Sequence, residues 1–169
     1  MKVLGIDPGT AVTGYGVVEL GARGVHALVE CGVIRTRSRD PLPARLVEIF
    51  EGVSDLINRH QPTALSVEDV FYGRNVRSTV SLSHARGVIL LVAQQSALDI
   101  HEFSPAAVKK AVCGTGAATK EQVQFMVGRL LRLKQAPTPS DAADGVAVAL
   151  TCLMSAHLRK LEAVAARLR

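Results

Sequence analysis

The first ten residues constrain this chain more than any other stretch. Lys2-Val3-Leu4-Gly5-Ile6 is a short apolar run with a β-branched residue at each end of its core, bounded by Pro8-Gly9. It reads as a buried strand. The strand ends in a carboxylate, Asp7, and the Pro8-Gly9-Thr10 turn fixes the backbone just beyond it. In open α/β sheets, the ends of parallel strands form the crevice where ligands bind. An acid placed there can hold a cation, bond a ligand or cap the turn. For one Asp before Pro-Gly the turn role is the ordinary one, so the weight falls on where the other acids lie.

The pattern downstream supplies the rest of the sheet. Tyr15 to Leu20 reads as a second strand and Val25 to Thr36 as a third, with a Gly21-Ala22-Arg23-Gly24 turn between them. Short connections favour an antiparallel meander. Asp40-Pro41 predicts a helix start, with Asp40 as N-cap and Pro41 first in the helix. Leu42, Leu46, Ile49, Val53, Leu56 and Ile57 mark its apolar stripe and Pro62 its stop. Ala64 to Val67 is a fourth strand, parallel to the first because a helical crossover precedes it.

A polar and aromatic connector, residues 71–77, leads to a helix from about Ser78 to Ala97. Its inward residues are expected to be Val80, Leu82, Ala85, Val88, Ile89 and Val92. Asp99 to Phe103 is a fifth strand, and Ser104-Pro105 starts a short helix. Thr119-Lys120-Glu121-Gln122 is a capping-box signature for a helix to about Leu133. A last helix begins near Ser140. The order βββαβαβααα predicts an α/β fold with a five-stranded mixed sheet, three strands in an antiparallel meander and two parallel, flanked by helices.

With 169 residues and no linker or repeat, one domain over residues 1–169 is the simplest organisation. The formal charge of +5 suits a polyanionic partner, though on charge alone a basic protein without one is as good a reading. Cys31, Cys113 and Cys152 are widely spaced, without a CxxC. They fit neither a disulfide framework nor a zinc site, which points to a reducing, cytoplasmic compartment. No apolar run is long enough to span a bilayer, so no membrane association is expected. The five histidines are scattered, without metal-ligand spacing.

Three further acids matter. Glu68 directly follows the fourth strand, so it emerges at the same edge as Asp7. Asp141 and Asp144 stand at i and i+3, on one helix face about 5–6 Å apart. They open a run of small apolar residues, which implies burial, and buried acids need partners or a metal. Alternatively they are ordinary acids favoured by the helix dipole. If all four converge, each pair of like charges about 4 Å apart repels by roughly 4 kcal/mol at an effective dielectric near 20. Such a cluster recruits cations, and oxygen-only ligands favour Mg²⁺ or Mn²⁺.

Taken in order, several segments resemble the bacterial Holliday-junction resolvases of the RuvC family. They are Gly5-Ile-Asp-Pro-Gly-Thr10, Val67-Glu-Asp-Val-Phe-Tyr-Gly-Arg-Asn75, Ala85-Arg-Gly87, Lys120 with Glu-Gln-Val-Gln, and Pro139-Ser-Asp-Ala-Ala-Asp144. The resemblance covers residues 1 to about 157. It implies a ribonuclease-H-like fold and a homodimeric endonuclease that resolves four-way DNA junctions with paired symmetric nicks. It assigns Asp7, Glu68, Asp141 and Asp144 as catalytic metal-binding acids, with two Mg²⁺ per active site and Mn²⁺ able to substitute. It also implies a branch-migration helicase complex as partner.

Beside that resemblance, Phe71 and Tyr72 suit stacking on unpaired bases, with Arg74, Asn75 and Arg77 near phosphates. Phe71 packed in the core is the competing expectation. Lys109 and Lys120 flank the Gly114-Thr115-Gly116 loop and are expected to contact DNA. Two other classes remain. The Asp7-Pro8-Gly9-Thr10 segment with Gly14 also resembles the phosphate loop of actin-like sugar kinases, but the chain is short for a two-domain enzyme. A non-catalytic DNA-binding module is the third, against which the four acids count.

Overall fold

The computed structural model describes residues 1–21, 24–69 and 76–167, and the side chains of these except Arg77 and residues 157–167. Five strands form one sheet: β1 (Lys2–Asp7), β2 (Val12–Leu20), β3 (His26–Arg35), β4 (Ala64–Glu68) and β5 (Asp99–Phe103). Their spatial order is β3-β2-β1-β4-β5. β1, β2 and β3 pair antiparallel, and β4 runs parallel to both β1 and β5. This is the expected meander plus two parallel strands. Both parallel strands are reached through helical crossovers, α1 (Leu42–His60) and α2 (Val76–Gln95). Helices α3 (Pro105–Cys113), α4 (Lys120–Leu130) and α5 (Ser140–Arg167) follow.

Alternation along the strands divides the core in two. Val3, Val18 and Ala64 face α3, α4 and α5, where Val108, Val112, Val123, Val127 and Val146 to Leu150 are buried. Leu4, Ile6, Val17, Leu65 and Val67 face α1 and α2, against Ile49, Val53, Leu56, Ala85 and Ile89. A sheet covered on both faces by helices explains why β1 and β4 read as continuous apolar runs.

Local signals held where a side chain closes the helix end. Ser104 accepts the Ala107 amide at the start of α3, and Thr119 with Gln122 forms the full capping box of α4. The expected start of α1 is corrected. Asp40 is not its cap: the Asp40 amide closes a turn onto the Arg37 carbonyl, Pro41 stays extended, and Pro43 takes the proline-tolerant first turn. Val80 is also corrected, being half exposed. The described residues in the first turns of α2 include none that is buried, and the inward stripe starts at Ala85.

Glycines decide how α5 lies. A β-carbon on Gly16 would come within 2.6 Å of the Val146 Cα, and one on Gly145 within 2.5 Å of the Tyr15 Cα. The helix therefore rests backbone-on-backbone across β1 and β2, further tied by the Ser66 hydroxyl donating to the Val148 carbonyl (3.1 Å). Among the described residues, no helix is long and apolar enough to cross a membrane.

A candidate metal centre at the sheet rim

Asp7 is the last residue of β1, and Glu68 the last of β4. The register places Ile6 opposite Val67 in this parallel pair, so the two carboxylates leave the sheet side by side. The α5 seam brings in the other two. Gly14, the β2 partner of Asp7, has no side chain, and a β-carbon there would run into the Asp141 backbone. The first turn of α5 thus settles directly over the end of β1. Asp7, Asp141 and Asp144 each present an oxygen within 4.8 Å of the others. Glu68 lies outside that group of three. It lines the same cleft, of about 300 Å³, with Asp7, Asp144, Lys109, Lys120 and the apolar Pro105, Val108 and Val123.

The electrostatics of the cleft follow from this crowding. Burial, with added repulsion from Asp144 and Asp141, pushes Asp7 up to about 7, while Lys120 pulls the other way. Glu68 is likewise pushed up to about 7 by burial and then by Asp7 and Asp144, against Lys120 and Lys109. Lys120 donates to Asp144 Oδ2 at 3.1 Å, and this hydrogen bond and charge raise the lysine. Two desolvated acids that resist ionisation, among oxygen donors only, are what a hard divalent cation relieves. The donor set therefore fits Mg²⁺ or Mn²⁺ and does not fit a soft metal that prefers sulfur.

Of the expected DNA-contact residues, Lys109 and Lys120 lie at the cleft. Phe71, Tyr72, Arg74 and Asn75 fall outside the described residues, as does the side chain of Arg77. Two relationships escaped the sequence reading. One is the Lys120–Asp144 pair. The other is Arg86 of α2, whose guanidinium lies 3.4 Å from Asp69 and contacts Glu102. With the Asp69 amide donating to the Phe103 carbonyl, Arg86 fastens the ends of β4 and β5 beside Glu68. The Ala85-Arg86-Gly87 segment carried that signal, but spacing alone does not say which strand ends an arginine will reach.

A ribonuclease-H-like sheet with an acidic cleft between its central strand ends and a long covering helix defines a nuclease class. Within it, the family described as crossover junction endodeoxyribonuclease RuvC matches residues 3–152. The chain belongs to this family. The curated relative from Pelotomaculum thermopropionicum, a crossover junction endodeoxyribonuclease RuvC, is 46% identical over 150 residues, covering 89% of this chain and 91% of that one. The solved RuvC structure from Thermus thermophilus superposes with a TM-score of 0.86 at 35% identity, covering 94% of this chain and 96% of that one. A second structure of that RuvC, in complex with Holliday junction substrate, gives 0.84 at 32% identity and the same coverage.

Proposed function

We propose that this protein is a divalent-cation-dependent endonuclease that resolves four-way DNA junctions by paired symmetric nicks. The observation that carries the reading is the set of three aspartate oxygens within 4.8 Å of one another, in a cleft lined by lysines. Asp7, Asp141, Asp144 and Glu68 hold the cations, two Mg²⁺ per site with Mn²⁺ as a substitute. When bound, these ions supply activation of a water and neutralisation of charge at the phosphate. Lys109 and Lys120 hold the phosphate backbone at the mouth of the cleft. Val108 and Val123 form an apolar wall that limits bulk water. Phe71, Tyr72, Arg74, Asn75 and Arg77 engage the opened junction.

Two nicks related by symmetry call for two copies of the site, hence a homodimer. Helix α2 favours this. Val76, Val80 and Leu91 are 72%, 50% and 52% exposed on one face, and Gly87 between them has open space above it. Such a stripe suits close approach of a second helix. Leu91→Glu is expected to turn a dimer into a monomer in sedimentation.

The direct test is incubation with a synthetic four-way junction and a matched linear duplex, with and without Mg²⁺ or Mn²⁺. Cleavage of the junction alone, and only with metal, is expected. Equal cutting of the duplex, or cutting in chelator, overturns the reading.

A further inference from the structure

The acidic cleft is flanked by positive charge on the α3–α4 side, through Lys109 and Lys120. The opposite side of the rim carries a second basic segment. Because β3 runs antiparallel to β2, its last residue, Arg35, pairs with Val12, the first residue of β2. It therefore ends on the same rim as Asp7. Thr36 is locked to the turn after Asp7: its amide donates to the Ala11 carbonyl (3.1 Å) and its hydroxyl to the Thr10 carbonyl (2.6 Å). Arg45 Nε in turn donates to the Thr36 hydroxyl at 3.0 Å. A segment with Arg35, Arg37 and Arg39 in alternation is thus fastened to the loop that carries the first catalytic acid.

These three arginines are exposed. The acids nearby are few. Glu48 accepts the Arg37 amide (3.1 Å) and lies 3.9 Å from its guanidinium, which is 71% exposed. Asp40 is the other acid of the segment, and the first turn of α1 carries none. Nothing in this balance neutralises the edge. Neighbouring strands lie about 4.8 Å apart, so the end of β3 stands about 10 Å from the end of β1 across β2. One DNA strand advances about 3.4 Å per phosphate along the helix axis. For a duplex whose axis follows the rim, the end of β3 is therefore two or three nucleotides from a phosphate held over Asp7.

We infer that the β3–α1 segment is a second DNA-contact surface, on which Arg37 and Arg39 grip the phosphates of a junction arm two or three nucleotides from the cut. This deepens the junction-nuclease reading and rests on it. Together with the lysines it makes a positive track that crosses the rim, with the acids in the middle. The surface fits the phosphate backbone of duplex DNA and reads no base.

The test is equilibrium binding of the full-length protein to a four-way junction in chelator, over a range of salt. The Arg37→Gln/Arg39→Gln double variant is expected to weaken binding roughly tenfold, and to lower the slope of log Kd against log salt by about two. Arg37→Lys/Arg39→Lys should retain most of both. Neutralising Arg129, in the last turn of α4, and Lys134 beyond that helix, neither of which lines the cleft, should leave the slope unchanged. A neutral methylphosphonate two or three nucleotides from the cut should weaken wild-type binding but not that of the glutamine variant. An unchanged slope in the glutamine variant, or additive losses with the methylphosphonate, overturns the arginine edge. Failure of the wild type to prefer the junction over linear duplex instead overturns the junction reading itself.

Discussion

Lys120 Nζ lies 3.1 Å from Asp144 Oδ2, so the acid cluster carries its own counter-ion. The ammonium is largely exposed, whereas the carboxylate is only 17% exposed. A cation entering the cleft competes with this lysine for the same oxygen. Lys120→Met is expected to tighten Mg²⁺ or Mn²⁺ binding in calorimetry. The gain should be about fivefold, because an ion pair whose ammonium is exposed is worth about 1 kcal/mol. Cleavage should fall at the same time, since the phosphate loses its ammonium. Weaker metal binding in the variant would mean that the lysine assists the cation rather than competes with it.

The raised acids make metal-free stability fall as pH rises. Asp7 and Glu68 titrate near 7 when folded, against ordinary values of 3.8 and 4.5. Between those values and 7 the folded chain holds more protons than the unfolded one at these two sites, so the stability they contribute is full below about pH 4 and is lost progressively up to about pH 7. In chelator, the melting temperature contributed by these groups should drop between about pH 4 and 7. Mg²⁺ or Mn²⁺ at pH 8 should restore it. Asp7→Asn should flatten the profile.

The same substitution separates chemistry from binding. Asp7→Asn keeps the size of the side chain but removes the charge that a cation needs. Junction cleavage should fall by at least about a thousandfold, or 4 kcal/mol of transition-state stabilisation. Junction affinity in chelator should stay within a few-fold of wild type. A parallel loss of affinity would show that Asp7 shapes the rim rather than its chemistry.

The seam under α5 has no room for side chains. Gly16→Val places methyl groups against the Val146 backbone. Because the Val146 backbone as well as its stiff β-branched methyl is in the way, about 3 kcal/mol or more of stability should be lost in chemical denaturation.

Much of this architecture was legible because local chemistry and tertiary position agree. Pro8-Gly9 ends β1, Thr119 and Gln122 close α4, and the apolar run after Asp144 really is buried. The crossover rule placed Glu68 beside Asp7 without further information. The failures have a common cause. Asp40 lost its capping role because α1 starts at Leu42, which puts Pro41 at the cap position and Pro43 in the first turn, and Val80 was left exposed because the buried stripe of α2 starts only at Ala85. Lys120 meeting Asp144, and Arg86 meeting Asp69, depend on how helices far apart in the chain come to rest. Periodicity says which face of a helix is apolar; it does not say which charged tips will touch across a cleft.

The glycine at position 14 has one further consequence. With Asp7 on one side of the ladder and the main chain of Asp141 pressed against the other, the distance between these two main chains is set by backbone contact, and the rotamers of the carboxylates set only the remaining reach of their oxygens. A cation held between these acids would therefore depend on how the last helix is laid down as well as on the reach of the carboxylates, and retuning its fit would mean moving that helix.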